Sequence, residues 1–316
     1  MLPLIVILGP TATGKTKIAL ALAQKFNGEI ISGDSMQIYR QMDIGTAKIK
    51  PSAMKKIPHH LLDLKNPDEP FSVADFQKLA REKIKEIHEK NRLPFLVGGT
   101  GLYLDAVIYP YKFTSQKEIS GHRHQLFSLA QEMGRGHLYQ LLTEIDPLAA
   151  QKIHPHDLKR VIRALEYYYV TGGKRISDNK NAILKKPLYH LVSIGLTMER
   201  SLLYQRIEER VEQMMARGFL EEVKQLLDKG YQPDLPALQG LGYRQLIAHL
   251  QGDYDLTKAV TLIKQETRHY AKRQLTWFKK RKNIKWFTFA NGTDNCHKIL
   301  QEIMNHIGRT LYSSIE

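Results

Sequence analysis

The first third of the chain alternates short apolar runs with longer amphipathic segments. Apolar runs at 4–8, 29–32 and 93–97 have the length of buried strands. Residues 18–23 and 72–90 carry apolar side chains at helical spacing. The longer helix buries one face, formed by Val73, Phe76, Leu79, Ala80, Ile84 and Ile87. Alternating strands and helices with short links predict a parallel sheet covered by helices on both faces.

The pattern changes in the middle of the chain and then returns. Residues 114–186 show no convincing strand and are rich in Arg, Lys and His, so we interpret them as a helical insertion. Strand patterns return at 188–196 and 284–289. Amphipathic helices are predicted between them at 202–215, 220–228 and 256–282. We therefore predict an α/β core of residues 1–113 and 187–316, interrupted by a helical domain at 114–186.

A glycine-rich motif joins the first predicted strand to the first predicted helix. It reads G-x-x-x-x-G-K-T and consists of Gly9, Pro10, Thr11, Ala12, Thr13, Gly14, Lys15 and Thr16. In this context the loop N–H groups and the helix N-terminus surround an anion, Lys15 adds positive charge, and the Thr16 hydroxyl can hold magnesium. The motif predicts a P-loop NTPase-like fold that binds a di- or triphosphate.

Asp34 follows the second strand, at the sheet edge where ligands of such folds bind. Its carboxylate could cap a helix, hold a metal ion or act as a general base, and the residues leave these choices open. The third strand ends in the turn Gly98–Tyr103, with no carboxylate before Asp105. A P-loop ATPase usually has a metal-binding aspartate there, so an ATPase is disfavoured, and Thr100 offers only a hydrogen bond.

Two arginines lie one helical turn apart after the strand at 188–196. Arg206 and Arg210 are interleaved with glutamates, a pattern typical of solvated ion pairs. The same helix could instead lean over the crevice and bring one arginine to a bound pyrophosphate. The spacing does not decide between these alternatives.

Composition points to a polyanionic partner. Lys and Arg number 47 against 32 Asp and Glu, a net charge of +15. Such an excess favours binding to nucleic acid, although a basic surface can also serve solubility alone. The single cysteine, Cys296, excludes a disulfide framework and fits a reducing cytoplasm. No stretch approaches the ~20 apolar residues of a membrane span, so we expect a cytoplasmic protein.

Three basic segments, at 159–163, 239–244 and 268–281, together combine cations with aromatic residues. Cations contact phosphates and aromatic rings stack on unpaired bases, which single-stranded RNA offers. Each segment alone is typical of a solvated helix face, but together, on so basic a chain, they indicate RNA binding.

The chain resembles the tRNA dimethylallyltransferases, also called tRNA isopentenyltransferases. The matching motifs are spread over nearly its whole length. The matching motifs are the P-loop, Ile31–Tyr39, Met42–Lys48, Pro58–Asp63, Val97–Tyr103, Arg160–Glu166, Gly242–Arg244 and Ala271–Trp277. The Asp-Ile-Gly-Thr-Ala-Lys and Lys-Arg-Gln-x-Thr-Trp motifs are far more specific than the P-loop.

The resemblance implies transfer of a dimethylallyl group from dimethylallyl diphosphate to the exocyclic amine of the adenosine beside the tRNA anticodon. The P-loop would hold the leaving pyrophosphate, with magnesium bridging it to Thr16. Asp34 would accept the proton, Thr100 would hydrogen-bond the substrate, and Arg206 would stabilise the pyrophosphate charge. The target base would be flipped out of its stack. We expect a monomer.

The resemblance also implies a set of tRNA-contacting residues. They are Asp34, Ser35, Met36, Gln37, Thr100, Arg123, Lys159, Arg160, Val161, Ile162, Arg163, Gln239, Gly240, Leu241, Gly242, Tyr243, Arg244, Lys272, Arg273, Gln274, Thr276 and Trp277. The alternatives are a P-loop nucleotide-type kinase and an RNA-binding NTPase, which labelled ATP or tRNA-stimulated phosphate release would reveal.

Overall fold

The computed structural model describes residues 1–113, 116–178, 186–290 and 293–312. The chain forms two compact units. The core unit contains residues Met1–Ile108 and Pro187–Glu316, and the inserted unit contains Tyr109–Lys186. Of the predicted insertion, residues 114, 115 and 179–185 lie outside the described residues.

Six parallel strands form one sheet in the core unit. They are β1 (Pro3–Leu8), β2 (Gly28–Ser32), β3 (His59–His60), β4 (Leu93–Gly98), β5 (His190–Met198) and β6 (Lys285–Phe289). Their spatial order is β3-β2-β4-β1-β5-β6, and every pairing is parallel. The predicted α/β class with a P-loop-like parallel sheet is therefore confirmed.

Twelve helices are described, together with a short 3₁₀ turn at Pro51–Ala53. The helices are α1 (Lys15–Lys25), α2 (Val73–Glu89), α3 (Gly101–Ile108), α4 (Gln116–Glu132), α5 (Arg135–Ile145), α6 (Pro147–Ala150), α7 (Leu158–Val170), α8 (Arg200–Ala216), α9 (Phe219–Asp228), α10 (Tyr243–Leu250), α11 (Leu256–Lys279) and α12 (Thr293–Tyr312). The turn predicted over Gly98–Tyr103 is shorter than expected, because α3 already begins at Gly101.

The central strand β1 shows how the sheet is covered. Ile5 and Ile7 belong to a buried cluster with residues of α1 and α12, such as Ile18 and Ile303. The alternate residues of β1 are also fully buried but lie outside that cluster, because successive side chains point to opposite faces. The sheet is thus covered on both faces, and its loops are left free to form a site at the strand ends.

The inserted unit has its own apolar core and no strand among its described residues. Its buried residues come from α4, α5, α6 and α7. Where the core unit is interrupted, the backbone N–H of Leu188 donates to the carbonyl of Ile108 at 2.9 Å. The two ends of the interruption are therefore direct neighbours within the core unit.

None of the described helices is both long enough and apolar enough to cross a bilayer.

Candidate active site

The phosphate-binding loop lies between β1 and α1. Gly9 has a φ of 146°, and a Cβ there would overlap the carbonyl oxygen of Leu196 on β5. Gly14 has a φ of 83° and caps α1, so both motif glycines are required by backbone geometry. The Thr13 hydroxyl and the Lys15 ammonium donate to the carbonyl of Pro10 at 2.8 and 2.7 Å. These bonds tie the loop to its own backbone at Pro10.

Two cavities open at the carboxyl edge of the sheet. The first, about 330 Å³, is bordered by the P-loop from Thr11 to Lys17, the end of β2, the end of β4 and Gln274. The second, about 310 Å³, is bordered by Ser35, Met36, the 240–244 turn, and apolar side chains of α8 and α11. The cavities share five bordering residues: Thr11, Asp34, Thr46, Arg210 and Tyr270. Asp34 therefore lies where the cavity beside the P-loop meets a second cavity lined by both polar and apolar side chains.

The charged groups of the first cavity perturb one another. Burial and then the charge of Arg210 lower the pKa of Lys15 to about 7, and Asp34 partly opposes the shift. Burial also lowers the pKa of Arg210, again opposed by Asp34. Two cations enclosed beside a single carboxylate form a site with excess positive charge, which suits a bound diphosphate.

The predicted arginine is not the one at the cavity. Within the described part of the chain, Arg206 borders neither cavity, whereas Arg210 borders both. Both lie on α8, one turn apart, and only the placement of the helix against the sheet distinguishes them. The structure therefore does not bring Arg206 to the site, and Arg210 is the candidate in its place.

Thr100 directly follows Gly99, which borders the first cavity, and its buried hydroxyl has no hydrogen-bond partner among the described residues. Tyr270 borders both cavities, and burial raises its pKa to about 12. Tyr270 is not among the site residues predicted from the sequence. The only signal was its place in a segment of cations and aromatics, which was assigned to RNA binding as a whole.

Gln274 links the two glycine turns instead of standing free for RNA. Its side-chain oxygen accepts from the backbone N–H of Thr11 at 2.9 Å, and its amide donates to the carbonyl of Gly99 at 3.0 Å. The side chain is buried, and a Cβ at Gly99 would overlap its amide nitrogen. The predicted RNA contact at Gln274 is replaced by a structural bridge between the P-loop and the β4 turn.

The other predicted RNA residues of the core unit fall into three groups. Ser35, Met36, Gly240, Leu241, Gly242, Tyr243, Arg244 and Arg273 border the second cavity, and Gln37 borders the first. Lys272, Thr276 and Gln239 are exposed, although the Gln239 amide donates to the carbonyl of Pro233 at 2.8 Å. Trp277 is partly exposed, and its indole N–H donates to the buried Asp105 at 2.8 Å.

In the inserted unit, two of the arginines predicted to contact RNA form ion pairs with a buried glutamate. The guanidinium groups of Arg123 and Arg163 both contact the fully buried carboxylate of Glu166, each at 2.8 Å. Lys159 and Arg160 are exposed, with Arg160 3.3 Å from Asp157.

Two further predicted RNA residues of this unit do not reach its surface. Val161 and Ile162 are buried in its apolar core, so their side chains are not accessible to RNA in this structure.

The fold and the cavities define a P-loop α/β protein with one cavity at its phosphate-binding loop and a second cavity beside it. A family model described as IPP transferase matches residues 37–281. The tRNA dimethylallyltransferases of Geobacillus kaustophilus and Carboxydothermus hydrogenoformans are 48% and 49% identical to this chain, over 97% and 96% of its length and 96% and 97% of theirs.

Solved structures agree with these relatives. The tRNA isopentenylpyrophosphate transferase of Bacillus halodurans is 45% identical with a TM-score of 0.73, covering 100% of both chains. A eukaryotic dimethylallyltransferase acting on tRNA is 30% identical with a TM-score of 0.78, over 91% of this chain and 74% of that one. The chain belongs to the IPP transferase family, the family of the tRNA dimethylallyltransferases, and the resemblance seen in its motifs is confirmed.

Proposed function

We propose that this enzyme transfers the dimethylallyl group of dimethylallyl diphosphate to the exocyclic amine of the adenosine adjacent to the tRNA anticodon. The observation that carries the proposal is that Asp34 borders both cavities. A diphosphate held by the P-loop and a base in the second cavity would meet beside this carboxylate.

The reaction balances with the groups present. The amine nitrogen forms a bond to C1 of the dimethylallyl group, and the bond from C1 to the diphosphate oxygen breaks, leaving its electron pair on pyrophosphate. Asp34 accepts the proton that the amine loses. Lys15 and Arg210 stabilise the negative charge that develops on the leaving oxygen, and Thr100 hydrogen-bonds the substrate amine.

A divalent cation fits the donors of the first cavity. The Thr16 hydroxyl borders it together with the Ser32 hydroxyl and the Asp34 carboxylate, and all three are the hard oxygen donors that magnesium prefers. We propose magnesium at Thr16, where it would supply positive charge to the diphosphate.

The remaining partner is the tRNA itself. The inserted unit would contact phosphates of the anticodon stem-loop through exposed cations such as Lys159 and Arg160, while the flipped base is recognised in the core unit. Arg123 and Arg163 would contribute through their ion-pair cluster with Glu166. We propose that the enzyme works in the cytoplasm as a monomer.

Mass spectrometry of unmodified tRNA incubated with the enzyme, dimethylallyl diphosphate and magnesium tests the proposal. A mass gain of one dimethylallyl group on the adenosine beside the anticodon is expected. Asp34→Asn should slow transfer by about 10²–10⁴-fold while tRNA affinity stays near wild type. Transfer of labelled γ-phosphate from ATP, without a modified base, would instead establish a kinase.

A further inference from the structure

A carboxylate on α9 binds a loop that borders both cavities. Glu222 accepts hydrogen bonds from three successive backbone N–H groups, those of Asp43 at 2.9 Å, Ile44 at 2.6 Å and Gly45 at 3.0 Å. The hydroxyl of Tyr243 donates to the same carboxylate at 2.7 Å. Four donors thus converge on one charged group, and such charge-assisted bonds are roughly twice as strong as neutral ones.

The 43–46 loop rests directly on the side chains around Glu222. The rings of Phe219 and Tyr243 meet edge to face with their centroids 5.0 Å apart, and a Cβ at Gly45 would overlap both rings. At the other side of the loop, the buried ammonium of Lys48 contacts the carboxylates of Asp43 at 2.5 Å and Asp63 at 2.6 Å. The loop is therefore fixed on both sides.

The end of the loop forms part of the reaction site. Thr46 borders both cavities, and its carbonyl accepts the side-chain amide of Gln37 at 3.2 Å. The oxygen of Gln37 accepts the Ser32 hydroxyl at 2.9 Å, and both residues border the first cavity with Asp34. A displacement of the loop would therefore move Thr46 and Gln37, which border the place where the two substrates would react.

We propose that Glu222 is a positioning residue for the transfer reaction, acting through the 43–46 loop. It borders neither cavity among the described residues, so it acts on Thr46 and Gln37 without touching substrate. The carboxylate is required because a glutamine in its place would turn an N–H donor toward backbone N–H donors. The inference rests on the transfer function proposed above.

The test compares Glu222→Gln with Glu221→Gln. Glu221 is an exposed neighbour in the first turn of the same helix and pairs with Lys224, so it is a matched control. Hydrogen–deuterium exchange should become about 10- to 100-fold faster at the amides of residues 43–45 in the first variant only.

The catalytic measurement is normalised to folded sites. Calorimetry with inorganic pyrophosphate counts the sites, and its Kd should stay within about threefold of wild type because the P-loop is unchanged. The transfer rate per site should fall by about tenfold or more in Glu222→Gln, as expected when reacting groups are misplaced. Glu221→Gln should match wild type in both measurements.

Tyr243→Phe provides a second variant, because it removes one of the four donors. Tyr243→Phe should also speed amide exchange at residues 43–45 and lower the transfer rate per site, each by a smaller factor. If Glu222→Gln does not fold, this variant provides the test. Unchanged exchange at 43–45, faster exchange throughout the core unit, or a normal transfer rate per site would each overturn the proposal. If the wild-type protein transfers no dimethylallyl group, the proposed function fails. The exchange rates at residues 43–45 still test whether Glu222 holds the loop in place.

Discussion

Binding of a diphosphate should draw a proton onto Lys15. In the free protein, burial and the neighbouring Arg210 lower the pKa of this lysine to about 7, against an ordinary value of 10.5. A bound diphosphate places negative charge beside the ammonium and favours its charged form, so the pKa rises on binding. Free and bound protein therefore differ in the number of protons they hold.

The size of the effect follows from that pKa. At about pH 8.5 a group with a pKa of about 7 holds roughly 0.03 of a proton, whereas a lysine paired with a diphosphate holds about one. The terminal phosphate of the ligand ionises near about pH 6 and contributes little at this pH. Uptake of about one proton per diphosphate is expected, and affinity should weaken by up to about tenfold per pH unit above neutrality.

Calorimetry in two buffers of different ionisation enthalpy measures this uptake. Lys15→Met should abolish it, while Lys25→Met, a change at an exposed position near the end of the same helix, should leave it intact. Absence of proton uptake by wild type near pH 8.5 would refute the low pKa of Lys15. Uptake that persists in Lys15→Met would assign the proton to another group.

Two other predictions use paired variants. Arg210→Ala should lower kcat/KM for dimethylallyl transfer by about 10²–10³-fold, whereas Arg206→Ala should stay within a few fold of wild type. A larger loss in Arg206→Ala would instead support Arg206, the arginine predicted from the sequence. Gln274→Ala should lower the free energy of unfolding in urea by about 1–4 kcal/mol because the buried carbonyl of Gly99 and the partly buried N–H of Thr11 lose their partners. The exposed Gln265→Ala is the control. Equal stabilities of these two variants would contradict the bridging role.

Local patterns were sufficient to predict most of the sheet. The strands β1, β2 and β4 and the P-loop were predicted because their signals lie within a few consecutive residues. The strand β3 was missed, since two residues are too few to show a periodicity. The boundary at Gly101 was missed because α3 follows the glycine turn without a separating loop.

The site was harder to predict because it depends on long-range packing. The spacing of Arg206 and Arg210 could not show which one faces the sheet. In the segments assigned to RNA, Val161, Ile162 and Gln274 share a motif with exposed cations but point into the interior. A motif identifies a segment of the chain. Which of its residues are buried depends on the helices and strands that pack against it.

The hydrogen bond between Leu188 and Ile108 has a consequence for how such a protein can be remodelled. The chain leaves the core unit and re-enters it at adjacent points, so the path of the sheet does not depend on what lies between them. A turn of about two to five residues is long enough to join neighbouring segments of this kind. We therefore expect that residues 109–186 can be lengthened, shortened or exchanged for another fold while the strands of the core unit keep their path.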